Sequence, residues 1–160
     1  NTDPFALPLP RGPSRPPLPT ALPLLARMAD VVVIGAGLAG AATAWHLSRT
    51  APYLRVVVLE ARGRAGGRLA NAPSSYDLGA AWTWEGNDAL VAEACGALGL
   101  RTVPQYARGV HLYQRADGSV AAGPGAFTHE RQIAGGAASL PRALLEASGA
   151  EVHMAWPVGR

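Results

Sequence analysis

One segment near the start of the chain restricts the possible folds more than any other. Val31–Ile34 is a continuous run of β-branched residues, typical of a strand buried on both faces of a parallel sheet. Residues 35–40 then read Gly-Ala-Gly-Leu-Ala-Gly, and small apolar residues favour a helix from residue 38 to about residue 49. Residues 55–60 form a second apolar run. Strand, helix and strand at this spacing predict a right-handed βαβ unit in an α/β fold.

The three glycines of residues 35–40 have separate physical roles in such a unit. Gly35 permits the tight turn, Gly37 lets a diphosphate approach the backbone, and Gly40 lets the helix pack closely on the strand. The helix N-terminus offers unpaired N–H groups and a partial positive charge to the phosphates. The pattern predicts a dinucleotide site whose first residues are Gly35, Ala36, Gly37, Leu38, Ala39 and Gly40.

An acidic residue occupies the position expected for sugar recognition. Glu60 ends the second apolar run, 20 residues after Gly40, where its carboxylate can accept hydrogen bonds from both ribose hydroxyls. A carboxylate would repel a 2′-phosphate, so the residue favours FAD or NAD over NADP. These residues alone leave the choice between FAD and NAD open.

The next segment carries a resemblance to a known family. Residues 59–68 read Leu-Glu-Ala-Arg-Gly-Arg-Ala-Gly-Gly-Arg, which resembles the L-E-A-R-x-R-x-G-G-R signature of the flavin amine oxidase superfamily at every specified position. That superfamily includes phytoene-desaturase-like and protoporphyrinogen-oxidase-like enzymes. The resemblance implies FAD, with guanidinium groups beside the diphosphate and glycines close to the cofactor. The implied residues are Glu60, Ala61, Arg62, Gly66, Gly67 and Arg68; an arginine-glycine surface loop is the alternative.

A second, shorter segment extends the resemblance. Residues 76–82 read Tyr-Asp-Leu-Gly-Ala-Ala-Trp and are similar to the D-L-G-A-x-W segment of that family. In the family this backbone runs along the flavin ring, which implies Gly79, Ala80, Ala81 and Trp82 as cofactor contacts. Trp82 and Trp84 could line the edge of the ring or pack in a core. Near the end of the chain the resemblance implies that the backbone of Val158 contacts adenine.

Further elements follow in an order familiar from bacterial flavin monoamine oxidase-like enzymes. We expect a helix over residues 88–98, capped by Asn87, ending before Gly99 and apolar at Leu90, Val91, Ala94 and Leu98. Asp117-Gly118 between residues 110–115 and 119–122 predicts a hairpin. A glycine pair at residues 135–136 precedes a helix predicted over 140–148, with Pro141 near its start, and residues 151–155 predict a strand.

The domain organisation predicted from these patterns is a leader followed by one partial domain. Residues 1–27 contain eight prolines and are expected to be disordered, so we hypothesise that Met28 is the natural start. A polyproline ligand for a partner module is the alternative. Residues 28–160 form the N-terminal, FAD-binding part of a Rossmann-like domain with a parallel sheet, an added β-hairpin and helices. We expect the substrate domain to be missing from these residues, so the sheet should expose an edge and one apolar face.

Composition excludes several other classes of protein. The 14 cations are all arginines and are scattered, unlike the basic clusters that bind nucleic acid. Apolar runs fall short of the roughly 18 residues that span a membrane. Cys95 alone provides neither a disulfide framework nor a zinc cluster, and we expect it to pack as a small hydrophobe in a reducing, cytoplasmic protein. The histidines, expected at the surface or in the hairpin, form no catalytic motif: His46, His111, His129 and His153.

The combined patterns predict the cofactor-binding portion of an FAD-dependent oxidoreductase. The resemblance implies oxidation of a small amine by hydride transfer to flavin N5, with binding residues here and catalytic residues unknown. We expect the 160 residues alone to be inactive. Two alternatives stay open at this point. One is a carotenoid or phytoene desaturase-like flavoenzyme, and the other is a truncated nucleotide-binding module without turnover.

Overall fold

A computed structural model describes residues 28–72, 76–84, 86–106, 108–124 and 129–159. The proline-rich leader predicted over residues 1–27 lies outside them. The described elements, in chain order, are β1 (Val31–Ile34), α1 (Leu38–Thr50), β2 (Val56–Leu59), β3 (Thr83–Trp84), α2 (Ala89–Ala97), β4 (Thr102–Pro104), β5 (Val110–Gln114), β6 (Val120–Pro124), β7 (Glu130–Ile133), α3 (Ser139–Ser148) and β8 (Glu151–His153).

The predicted βαβ unit is confirmed. Strands β1, β2 and β8 form a parallel sheet in the order β1-β2-β8, and α1 connects the first two. Val33 pairs with Val58, and Val58 pairs with Val152, so these three side chains lie on one face of the sheet. The central strand β2 has a hydrogen-bonded neighbour on each side, and elements packed on both faces of the sheet bury its side chains. This parallel sheet brings the loop after β1 and the end of β2 to the same edge.

Helices α1 and α3 cover the face that carries Val58. Val58 and the helix residues Ala41 and Ala44 are completely buried, and Leu140 and Leu144 of α3 are 2% and 1% exposed. Alanine at the two α1 positions leaves room for the leucines of α3. This apolar layer fixes the position of α3 relative to the sheet.

The opposite face of the sheet is covered only in part. Val57 and Leu59 are buried against Ala29 and Trp156, whereas Val32 and Ile34 on β1 are 44% and 69% exposed. The prediction of an exposed apolar face is therefore confirmed for the described residues.

Two antiparallel units accompany the parallel sheet. Strands β3, β7 and β4 form one in the order β3-β7-β4, and β5 with β6 forms the predicted hairpin. The hairpin turn uses Gly118 with a φ of +83°, while the hydroxyl and amide of Ser119 donate to Asp117 Oδ1 at 2.7 and 2.9 Å. These hydrogen bonds lower the pKa of Asp117 below its usual value.

The start of α2 differs from the sequence prediction. The helix begins at Ala89, and Asp88 precedes it in the capping position expected for Asn87. Asp88 Oδ2 accepts hydrogen bonds from Thr83 Oγ1 at 3.0 Å and from the Trp84 amide at 2.9 Å, so contacts with the preceding strand hold Asp88 at the start of the helix. Leu90 is 80% exposed although it was predicted to be on the buried face. The buried positions are Ala94 and Cys95, because the second half of α2 meets the core.

The C-terminal ends of the elements follow local rules more closely. Gly99 has a φ of +67°, and Leu100 N–H donates to the Cys95 carbonyl at 2.8 Å, which confirms the predicted glycine stop of α2. Strand β8 ends at His153, two residues before the predicted end, because Ala155 has a φ of +56° that breaks the extended conformation. His153 itself lies within that strand, 22% exposed, and not at the surface or in the hairpin.

Substitutions at two leucines test how much the packing of α3 against α1 and the sheet contributes to stability. Leu144→Ala should lower the free energy of unfolding by about 2–5 kcal/mol, because it leaves a cavity between α3 and α1. Leu90→Ala removes the same atoms from an exposed position and should change it by no more than about 0.5 kcal/mol. Urea denaturation followed by circular dichroism measures both. Equal losses for the two variants would contradict the packing described above.

Candidate nucleotide-binding site

The loop of residues 35–40 has the geometry of a backbone cradle. Gly35 adopts a φ of +98° and its N–H donates to the Leu59 carbonyl at 2.8 Å. A Cβ on Gly40 would overlap the Gly35 carbonyl oxygen and lie 3.2 Å from Val33 Cγ1, so helix and loop touch through backbone. No side chain caps the N-terminus of α1. The first N–H groups of the helix are therefore not satisfied by a capping side chain.

Glu60 faces this loop and is only 4% exposed. Its Oε2 accepts a hydrogen bond from Ala36 N–H, and its Oε1 accepts one from Arg62 N–H, each at 2.8 Å. The Arg62 guanidinium lies 3.9 Å from Oε1. The sequence analysis predicts that Glu60 binds the ribose and predicts no contact between Glu60 and the loop. Its position at the end of β2, beside the loop after β1, was the available signal.

A second glycine loop packs directly on the first. Gly66 N–H donates to the Ala36 carbonyl at 2.8 Å, and Gly37 and Gly66 form an isolated parallel bridge. A Cβ on Gly67, whose φ is +58°, would lie 3.3 Å from Gly37 Cα. The two sequence-predicted loops therefore meet backbone to backbone and form one surface of main-chain atoms.

The three arginines of residues 62–68 have different environments. Arg64, which the sequence did not single out, donates from Nη1 to the Ala65 carbonyl at 3.3 Å and from Nη2 to the Gly67 carbonyl at 3.1 Å. These two hydrogen bonds therefore stabilise the conformation of the loop. Arg62 lies beside Glu60, and Ala61 between them is exposed. Arg68 is exposed and makes no hydrogen bond or ion pair among the described residues.

The segment at residues 79–82 lies next to this surface. A Cβ on Gly79 would overlap the Arg68 carbonyl oxygen, so the segment touches the second loop through backbone. Trp82, 50% exposed, donates from Nε1 to Gln105 Oε1 at 3.3 Å, and Trp84, 42% exposed, donates to Glu130 Oε1 at 3.2 Å. Neither indole is a core residue. Ala80 is exposed and Ala81 half-buried.

A cavity of about 200 Å³ connects this segment to the glycine loop. Leu38 from the first turn of α1 lines it together with Ala81 and Trp82. The remaining lining residues include Leu69 and Ile133. Predicted residues of two separate segments, residues 35–40 and 79–82, thus line one largely apolar space.

The last described segment is hydrogen-bonded to the backbone of residues 60–62. Trp156 N–H donates to the Glu60 carbonyl, and Ala155 N–H donates to the Arg62 carbonyl, both at 2.8 Å. Val158 follows two residues later and is 46% exposed. The segment that contains Val158 therefore runs beside residues 60–62.

The described residues do not form a metal site. They contain no group of three or more His, Cys, Asp or Glu residues that could hold a metal ion. Cys95 is 2% exposed, and burial raises the pKa of its thiol. The thiol therefore packs as a small hydrophobic group, as predicted. Across the described ranges, no helix has both the length and the apolar character needed to cross a membrane.

Alanine substitutions at two helical glycines test the packing of the cradle. Gly40→Ala should destabilise the protein by about 1–3 kcal/mol, because its methyl group would overlap the Gly35 carbonyl. Gly96→Ala, in α2, places a methyl group where nothing lies within 4 Å and should stabilise by up to about 1 kcal/mol. The free energy of unfolding in urea measures both changes. Two variants with shifts of the same sign would contradict the close contact at Gly40.

The chain is similar in sequence to curated flavin-containing monoamine oxidases. A flavin-containing monoamine oxidase A of Dictyostelium discoideum is 34% identical over 88 residues, which cover 53% of this chain and 19% of the relative. A flavin-containing monoamine oxidase of Mycobacterium tuberculosis is 39% identical over 90 residues, with the same two coverages. The chain thus spans about a fifth of the length of these curated relatives.

Solved structures and family profiles agree on the fold. A putrescine oxidase bound to putrescine superimposes with a TM-score of 0.68 at 17% identity, over 79% of this chain and 51% of that protein. The profile of the NAD(P)-binding Rossmann-like domain matches residues 33–116, which contain the cradle, Glu60 and the second glycine loop. The chain belongs to the NAD(P)-binding Rossmann-like domain family.

Proposed function

We propose that this chain binds FAD and is the cofactor-binding part of an amine oxidase-type flavoenzyme. The observation that carries the proposal is the contact between the two glycine loops, closed by the buried Glu60 carboxylate on the Ala36 amide. The arrangement presents main-chain N–H groups and one carboxylate at the same edge of a parallel sheet. Dinucleotides bind at this edge in open α/β folds.

The diphosphate would lie against the first turn of α1. The uncapped N-terminus of this helix attracts anions through its N–H groups and its dipole. Side chains at Gly37 and Gly67 would fill the space where the two loops meet. Arg68, exposed and unpaired among the described residues, can supply a guanidinium to the phosphate oxygens.

The ribose would be held by Glu60. Each carboxylate oxygen accepts one backbone N–H and retains capacity for a second hydrogen bond. The negative charge disfavours a 2′-phosphate, which argues against NADP. The resemblance of residues 59–68 to a flavin signature, together with the flavin-containing relatives, favours FAD over NAD.

The flavin end would lie towards residues 79–82. The cavity beside Leu38, Ala81 and Trp82 provides apolar walls next to the diphosphate cradle. The segment containing Val158, which is hydrogen-bonded to the backbone of residues 60–62, would lie at the adenine end. In this proposal Glu60 and Val158 serve the adenine side, residues 79–82 serve the flavin side, and the two glycine loops hold the diphosphate between them.

The reaction follows from the cofactor and the relatives. When bound, FAD supplies two-electron oxidation, and the named residues of this chain bind and orient it. We propose a small amine as the substrate because the similar proteins are named as monoamine oxidases and a putrescine oxidase. A reducing, cytoplasmic setting belongs to the same proposal and is supported by the single, buried thiol of Cys95.

Glu60→Gln tests the sugar contact. We expect its affinity for FAD and ADP to fall about tenfold or more, because an amide cannot accept both backbone N–H groups and carries no charge. Selectivity for ADP over 2′-phospho-ADP should decrease as well, because the repulsive charge is gone. Isothermal titration calorimetry of the purified chain measures the three affinities.

Glu93→Gln is the matched control. Glu93 has the same side chain on the exposed face of α2, 61% exposed, and its variant should bind all three nucleotides within about twofold of wild type. Wild-type protein that binds neither FAD nor ADP would contradict the proposal. A Glu60→Gln variant that weakens ADP and 2′-phospho-ADP equally would contradict the role of Glu60 in sugar recognition.

A further inference from the structure

We infer that Asn71 and Asp77 are positioning residues that attach the flavin-side segment to the N-terminus of α3. The inference rests on the proposed FAD site. Neither residue was among the sequence-predicted contacts, and neither belongs to the glycine loops or to Glu60. Their effect should be specific for the flavin half of the cofactor, because residues 79–82 begin two positions after Asp77.

The two residues face each other across a short antiparallel pairing. Ala72 N–H donates to the Tyr76 carbonyl and Leu78 N–H donates to the Ala70 carbonyl, each at 2.7 Å. Asn71 and Asp77 form the isolated bridge between these bonds. Directly opposed residues of an antiparallel pair extend to the same side, so both side chains can reach one partner.

That partner is the backbone before α3. Asp77 Oδ1 accepts a hydrogen bond from Ala137 N–H at 2.7 Å, and Asn71 Oδ1 accepts one from Ala138 N–H at 3.2 Å. Asn71 Nδ2 also donates to the Gly135 carbonyl at 2.9 Å. Helix α3 has no side-chain cap of its own and no acidic residue in its first turn. The cap and the favourable negative charge therefore come from residues 60 or more positions away in sequence.

The glycine pair before α3 is required by this contact. Gly136 has a φ of +91°, and a Cβ on it would overlap the side chain of Asn71. Gly135 has a φ of +88° and supplies the carbonyl that Asn71 binds. The pair, which the sequence associates only with the start of a helix, thus gives the amide of Asn71 access to the backbone.

The anchor is connected to the proposed flavin side through backbone contacts. Gly79, two residues after Asp77, abuts the Arg68 carbonyl, and the loop containing Arg68 packs on Gly37. Helix α3 is fixed to the sheet by its buried leucines. Asn71 and Asp77 therefore set the distance between residues 79–82 and the diphosphate cradle. Among the described residues, the Glu60 carboxylate on the adenine side makes no hydrogen bond with either Asn71 or Asp77.

The test compares FAD with ADP, which contains only the adenine half of the cofactor. In wild type, FAD should bind more tightly than ADP. Asp77→Ala and Asn71→Ala should each reduce this FAD-to-ADP preference about tenfold while leaving the affinity for ADP within about twofold. Asp77→Asn retains an oxygen acceptor for Ala137 N–H and should recover most of the preference. Calorimetry gives the affinities, and the visible absorption of bound FAD reports the flavin environment.

Asp117→Ala, in the β5–β6 turn, is the control, and its affinities for FAD and for ADP should equal those of wild type. If wild type binds both ligands and Asp77→Ala leaves the preference unchanged, the inference fails while the FAD proposal stands. Equal weakening of FAD and ADP would also overturn it, because that indicates general damage. If wild type binds neither ligand, the FAD proposal itself fails. If the circular dichroism spectrum shows that Asp77→Ala does not fold, Asn71→Ala carries the same comparison, and an unchanged preference in that variant overturns the inference.

Discussion

The hydrogen bond from Ala36 N–H to the Glu60 carboxylate, 2.8 Å long and buried, organises the candidate site. It links the loop after β1 to the end of β2, and the second carboxylate oxygen holds the Arg62 amide at the start of the next loop. A buried carboxylate without such partners would be strongly unfavourable. The same group that is proposed to recognise the ribose thus also fixes the backbone that is proposed to recognise the diphosphate.

Close backbone packing extends this organisation outward. The glycine loops touch at Gly37 and Gly67, and Gly79 abuts the second loop. The contact of Asn71 and Asp77 with α3 then ties the outer segment to the helix that packs on Val58. Each layer depends on positions that tolerate no side chain or on one polar group with a defined partner. The candidate site is therefore continuous with the packed core.

Local patterns in the sequence predicted much of this structure, and non-local contacts account for the rest. The helix that starts after the glycine turn, the βαβ unit and the Asp117-Gly118 hairpin follow from patterns within short segments, and the structure contains all three elements. Asp88, and not Asn87, precedes α2 because its carboxylate accepts hydrogen bonds from Thr83 and Trp84; capping preference alone does not distinguish the two neighbouring residues. Leu90 is exposed because α2 contacts the core through its other end. The partners of Asn71 and Asp77 lie 60 or more residues away, beyond the reach of spacing arguments.

The most direct test of the account is a crystal structure of this chain grown with ADP. We predict that the diphosphate contacts the amides at the first turn of α1 and that a ribose hydroxyl lies about 2.5–3.0 Å from a Glu60 oxygen. The Ala36–Glu60 hydrogen bond should persist beside the sugar. ADP bound at another surface, with Glu60 retaining only its two backbone partners, would contradict the central claim.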